Sequence, residues 1–167
     1  MTLVYRHGPL MLVLALLAPL AAGAQTILVS AQESAGGTPL PAPDAAAEGT
    51  EAGLYDAGFV VFEGAPAGPA SGLADLAKVA RDGDSDLVLV LTVDYESASN
   101  AGGSATTGQA FWTLVDPATA AELAKGTETD SNQGRVATVD RGSLGQELGR
   151  AVASKVAAAV AELASKR

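Results

Sequence analysis

The sequence predicts a single α/β domain whose mixed β-sheet has about five strands packed by three helices. At its centre, an amphipathic helix starting at Leu73 is followed, across an acidic turn, by the apolar strand Leu87–Leu91. Apolar residues recur at i, i+3, i+4 and i+7 in that helix and fill both faces of the strand, as expected for a covered central strand. A second amphipathic helix ends the chain. The predicted order is β-α-β-α-β-β-β-α.

The first 24 residues have the pattern of a cleavable export signal. Arg6 precedes the apolar run Leu10–Leu20, and Ala22-Gly23-Ala24 matches the small-residue motif of a cleavage site. We therefore predict cleavage between Ala24 and Gln25, which leaves residues 25–167 as the single domain. The protein is then expected to be periplasmic or secreted in a bacterium.

No stable membrane anchor is expected. The apolar run of the leader is shorter than the roughly 20 residues that a transmembrane helix needs. Lipid attachment requires a cysteine, and the sequence contains none. Without disulfides, packing has to stabilise the fold.

Composition excludes several classes of function. Without the leader, nine basic and 19 acidic residues give a net charge of −10, so phosphate backbones and anionic lipids would repel the chain. The only histidine, His7, belongs to the leader. A Ser-His-Asp triad, a thiolate nucleophile and an ordinary zinc or copper site are therefore excluded. No nucleic-acid partner, cofactor or metal is predicted.

The N-terminal half alternates strands and helices. We predict a first strand over Thr26–Ser30, a Pro- and Gly-rich loop over Gly36–Pro43, a helix over Ala45–Ala57 and a second strand over Gly58–Glu63. Asp44 is a candidate N-cap of the helix because its carboxylate can accept from the first free amide groups.

The C-terminal half contains a predicted hairpin. The central strand runs to Glu96, and the small polar residues Ser97–Thr107 predict a mobile loop. Gly108–Val115 is a fourth strand, Asp116–Ala120 is a turn with proline at its second position, and Ala121–Thr129 is a weaker returning strand. Arg135–Asp140 is a candidate for one further short strand.

The final helix has the clearest pattern. Ser143 with Gln146 has the form of an N-terminal capping box. Leu148, Val152 and Val156 lie in a long apolar stripe, which we expect to pack on the sheet at Leu89 and Leu91. Beside the stripe runs a row of small residues, for which we predict close packing of the helix on the sheet: Gly145, Gly149, Ala153 and Ala157.

The acidic turn before the central strand resembles the start of a calcium loop, with Asp82, Asp84 and Asp86 at alternate positions. An EF-hand counted from Asp82 needs glycine at its sixth position and glutamate at its twelfth, and those positions hold Leu87 and Val93. We therefore predict a solvated turn without metal.

Two other patterns are candidate sites. Asp94 and Glu96 are two residues apart and share one face of a strand, so they are candidates for the acid and base of a glycosidase. They also lie where charges are commonly solvated, at the end of a strand. Gly102–Thr106 approaches the G-x-S-x-G motif, but Thr106 replaces the last glycine, which favours a flexible hairpin loop.

Phe111 and Trp112 are neighbours on the fourth strand. Successive side chains of a strand point to opposite faces. We predict that one of the two rings lies in the core, whereas the other is covered by a helix or marks a contact surface.

Four segments resemble small α/β domains of bacterial envelope proteins, typified by the TolB amino-terminal domain, the CsgG/LpoB-type lipoproteins and related flagellar assembly proteins. These segments are Leu54–Val61, Ala77–Leu89, Leu114–Ala120 and Leu144–Leu163. Ala120 stands where the turn of those domains usually has glycine, and the lipid-bearing cysteine is absent. The resemblance implies scaffolding and protein–protein contact, with no catalytic residues.

We therefore expect an exported, non-catalytic envelope protein that binds another envelope protein or takes part in an assembly. Two alternatives remain. One is a carboxylate-based glycan hydrolase acting through Asp94 and Glu96, and the other is a small-ligand binding protein.

Overall fold

A computed structural model of the protein describes residues 24–41, 45–64, 72–100, 103–133 and 140–166. It confirms the predicted single α/β domain with three helices, and the mixed sheet has six strands. The elements in chain order are β1 Thr26–Ala35, β2 Thr38–Pro39, α1 Ala45–Asp56, β3 Val60–Glu63, α2 Leu73–Asp82, β4 Leu87–Asn100, β5 Gly103–Asp116, β6 Ala121–Ser131 and α3 Arg141–Ser165.

The sheet is organised around β1 and β4. These two strands pair in parallel, with Ile27 opposite Leu87 and Ala35 opposite Tyr95. Beyond β4, the strands β5 and β6 form an antiparallel meander. On the other side of β1, β3 pairs in parallel with the start of that strand and β2 pairs antiparallel with its end. A hairpin turn with positive φ angles of 55° and 77° at Gly36 and Gly37 connects β1 to β2.

The main core lies between the sheet and the two helices α1 and α3. Leu148, Val152 and Val156 of α3 are buried in one cluster with Leu89 and Leu91 of β4, as the sequence predicted. Among the described helices, α2 covers the opposite face, and only at one end. There, a smaller cluster comprises Leu28, Leu76, Ala80, Val88 and Val115.

The row of small residues on α3 packs mainly against α1, which corrects the sequence-based prediction of packing on the sheet; at Gly145 an added Cβ atom would also lie 2.5 Å from the hydroxyl oxygen of Tyr95 on β4. A Cβ atom added to Gly149 would lie 2.6 Å from the amide nitrogen of Thr50 and even closer to the carbonyl oxygen of Ala46. The Thr50 hydroxyl donates to the carbonyl oxygens of Ala46 at 2.7 Å and Gly149 at 3.2 Å. Glycine therefore permits two parallel helices to pack backbone against backbone, while the larger apolar residues of α3 face the sheet.

The predicted mobile loop over Ser97–Thr107 is wrong. Strands β4 and β5 stay paired through this stretch, from Glu96 opposite Thr107 to Asn100 opposite Gly103. The hydroxyls of Ser97 and Thr106 lie 3.1 Å apart across the hairpin. Cross-strand contacts between small hydroxyl residues stabilise a sheet, so a composition typical of loops here forms an extended ladder. The candidate loop Gly102–Thr106 belongs to the same hairpin, except that Gly102 lies outside the described residues.

Helix α3 begins earlier than the sequence predicted. Its N-cap is Asp140, whose carboxylate accepts a hydrogen bond from the Ser143 amide at 2.8 Å, so Ser143 is not the cap. That hydrogen bond holds the pKa of Asp140 below its usual range. The remainder of the candidate strand Arg135–Asp140 lies outside the described residues, as do Asp44 and the leader up to Gly23.

Candidate functional site

One face of the β4–β6 meander has no cover among the described helices beyond the end that α2 occupies. We call it the open face. Its side chains alternate along the strands and lie in cross-strand rows, because Thr92 is opposite Phe111 and Phe111 is opposite Thr127. Its members are Val90, Thr92, Asp94 and Glu96 of β4, Thr107, Gln109, Phe111 and Thr113 of β5, and Lys125, Thr127 and Thr129 of β6.

The two aromatic neighbours divide between the faces. Trp112 is buried, with 6% of its surface exposed, whereas Phe111 on the open face is 47% exposed. Gly126 on the neighbouring strand β6 leaves room for the indole, since a Cβ atom at Gly126 would lie 2.6 Å from the Trp112 ring. The prediction that one ring lies in the core is confirmed, and the other ring is left accessible on a broad sheet surface.

Asp94 and Glu96 share the open face, as the sequence predicted. They line a cleft of about 240 Å³ together with Thr107, Gln109 and Thr129. One oxygen of Asp94 accepts from the Ser34 hydroxyl at 2.7 Å and from the Gly37 amide at 3.3 Å. Asp94 therefore holds the β1–β2 turn against β4, and the cleft lining brings no lysine or tyrosine to the carboxylates.

The open face carries excess negative charge. Its basic residue Lys125 forms a 2.9 Å ion pair with Glu122 on the same strand. Among the described residues, no ion pair involves Asp94 or Glu96. The end of the face near the β4–β5 hairpin is therefore acidic, and it adjoins the exposed ring of Phe111.

The acidic turn between α2 and β4 also links β4 to β1. A carboxylate oxygen of Asp86 accepts from both the amide and the hydroxyl of Thr26 at 2.8 Å, which ties the start of β4 to the start of β1. Asp84 has a φ angle of 53°, typical of a turn. Within the described ranges, no three residues with metal-binding side chains form a cluster. That the turn binds no metal remains a prediction.

Sequence reasoning missed one buried carboxylate. Glu33 lies on β1 facing the helices, with 4% of its surface exposed, and accepts a 2.5 Å hydrogen bond from the amide of Ala46. This amide belongs to the first turn of α1, where backbone donors lack intrahelical partners. The signal was the alternation of β1, which places Glu33 on the face of Ile27 and Val29 once the strand is extended past Ser30.

An apolar groove lies at the other end of the molecule. It has a volume of about 470 Å³ between the last turns of α3 and the segment linking α1 to β3, and Ala24 and Gln25 contribute to its wall. The carbonyl oxygen of Gln25 accepts from the Val60 amide at 3.0 Å. The predicted cleavage site thus adjoins the edge of the sheet, but cleavage itself stays a prediction.

No protein-family profile matches the chain, and no curated protein sequence matches it. Solved structures do match. PelC from Paraburkholderia phytofirmans, a dodecamer, is 18% identical with a TM-score of 0.57, and the match covers 81% of this chain and 89% of that one. The hypothetical protein CT253 from Chlamydia trachomatis is 10% identical with a TM-score of 0.54, covering 83% and 99% of the two chains.

The C-terminal domain of LpoB from Salmonella enterica is a looser match. It is 15% identical with a TM-score of 0.48, and the match covers 66% of this chain and 87% of that domain. The resemblance expected from the sequence is confirmed at the level of the fold. None of the helices in the described part of the chain is both long enough and apolar enough to cross a bilayer.

Proposed function

We propose that this protein is an exported, non-catalytic component of the bacterial envelope that binds another envelope protein or forms part of an assembly. The observation that carries this proposal is the open face, a broad sheet surface with an exposed aromatic ring at Phe111. Aromatic residues are enriched in protein–protein interfaces. The volume of the cleft on this face is smaller than the roughly 300–1,000 Å³ of common small-molecule pockets.

Two further observations support the proposal. The fold is similar to that of PelC, which assembles as a dodecamer. The leader with its predicted cleavage after Ala24 would send the chain across the inner membrane. Export without an anchor would place residues 25–167 in the periplasm or the medium, where a partner or further copies are available.

The experiment is to express the full chain in a bacterium, fractionate the cells and recover the protein after mild cross-linking. The mature protein should begin at Gln25 and be recovered with a stoichiometric protein partner or as a defined assembly. An intact Met1 would contradict export. Hydrolysis of envelope glycans that disappears on Glu96→Gln, with no partner recovered, would contradict the binding role and favour the hydrolase.

A further inference from the structure

The open face differs from the opposite face of the same sheet in its cover. Helices α1 and α3 bury the opposite face, whereas α2 contacts only the end that includes Val88 and Val115. The three strands β4–β6 span roughly 10 Å across, at about 4.8 Å per strand spacing, which matches the width of one helix.

The centre of the open face carries an accessible aromatic ring. Phe111 is 47% exposed, and Val90, which packs against the α2 cluster, is partly exposed. Thr92 and Thr127 flank the ring on the neighbouring strands. Aromatic rings are enriched in interfaces because they bury a large apolar area with few rotatable bonds.

The negative charge of the open face indicates which kind of partner it can bind. Asp94 and Glu96 lie at one end of the face without ion pairs among the described residues, and Lys125 is neutralised by Glu122. The whole chain has a formal charge of −9. A second copy would bring the same sign of charge to the surface and be repelled, whereas a basic partner would be attracted.

We propose that the open face docks a basic amphipathic segment of a partner protein. Its apolar side covers Phe111 and Val90, and its lysine or arginine residues face Asp94 and Glu96. This inference rests on the proposed function, because it assigns the surface and the chemistry of the partner to a protein-binding module.

The test uses a synthetic helical peptide with leucine along one side and lysine beside it, together with a scrambled peptide of the same composition. Binding to the purified protein is measured by fluorescence anisotropy. Phe111→Ser should weaken binding of the patterned peptide about tenfold or more, since it removes most of the buried apolar area. Phe62→Ser is the matched control, because Phe62 is 44% exposed but lies on β3 at the other edge of the sheet, and it should bind like the parent.

The charge contribution has its own matched pair. Glu96→Gln should weaken binding and reduce its dependence on salt concentration. Glu48→Gln removes an exposed carboxylate from α1, on the opposite side of the sheet, and should leave both properties nearly unchanged. If Phe111→Ser proves unfolded by circular dichroism, Thr127→Arg takes its place, because it adds bulk and positive charge to the same surface.

Equal binding of the scrambled peptide would overturn the proposal, as would equal weakening by Phe62→Ser. Self-association of the parent that Phe111→Ser abolishes, measured by sedimentation, would identify a second copy as the occupant instead. If a stoichiometric envelope partner is recovered and Phe111→Ser does not weaken its binding, the open face is not the docking surface, but the proposed function still holds. Recovery of no partner would remove the proposed function itself.

Discussion

The contact between α1 and α3 offers a sharp test of the fold, through the substitution Gly149→Ala. The added methyl group would lie 2.6 Å from the Thr50 amide nitrogen and closer still to the Ala46 carbonyl oxygen. Both are backbone atoms, so they cannot move aside as a flexible side chain would. The two parallel helices have to separate, and the hydroxyl of Thr50 then loses its hydrogen bond to the Gly149 carbonyl oxygen.

Two effects of opposite sign set the magnitude. Replacing glycine by alanine inside a helix stabilises it by up to about 1 kcal/mol. Overpacking a close contact destabilises a protein by about 1–3 kcal/mol. Because the added methyl group meets backbone atoms of α1, we expect the upper part of that range and a net loss of about 1–2 kcal/mol in the free energy of unfolding.

Gly142→Ala is the matched control on the same helix. A Cβ atom at Gly142 would meet only the Asp140 carboxylate, at 3.4 Å, so this variant should be neutral or slightly more stable than the parent. Urea denaturation followed by circular dichroism measures both variants. If Gly149→Ala unfolds at the same urea concentration as Gly142→Ala, or at a higher one, the backbone contact between α1 and α3 is wrong.

The remaining predictions concern the core, a titrating group and the acidic turn. Leu148→Ala should lower the free energy of unfolding by about 2–5 kcal/mol, since Leu148 is 1% exposed; an unchanged denaturation midpoint would place α3 outside the core. Partial burial, with Glu63 and Glu48 nearby, raises the pKa of Glu51, so its ionisation opposes folding and stability falls as pH rises through the shifted pKa. Glu51→Gln should therefore raise the melting temperature at about pH 7 but not at about pH 3, and an equal rise at both would show that ionisation is not the cause. The double variant Asp82→Asn, Asp84→Asn should have nearly the same melting temperature as the parent, both with and without calcium. A rise in the melting temperature of the parent on adding calcium that the double variant does not show would reveal a metal site.

Much of the fold was predictable because periodicity reports burial directly. The apolar run Leu87–Leu91 identified the central strand, and the stripe of α3 identified the side that faces the sheet. Periodicity does not show which element a buried face packs against. The glycine row of α3 indicated close approach, but only the structure shows that Ala46 and Thr50 of α1 lie opposite.

Composition misled at the β4–β5 hairpin, where serine and threonine suggested a loop although their hydroxyls pair across the strands. For the candidate site, alternation placed Asp94 and Glu96 on one face. It did not determine which of Phe111 and Trp112 faces the core, because that depends on where the helices lie. Glu33 was missed because the sequence predicts a first strand that ends at Ser30, whereas β1 continues to Ala35 and brings the Glu33 carboxylate to the Ala46 amide of α1.

The central claim, that the open face contacts a partner in the envelope, is tested most directly by photo-cross-linking in living cells. A photo-reactive phenylalanine analogue replaces Phe111 in one strain and Phe62 in another, and the adducts are separated by mass after irradiation. We expect a discrete adduct with a different, basic polypeptide from the Phe111 site and none of that mass from the Phe62 site. The same adducts from both sites, or none from the Phe111 site, would contradict it.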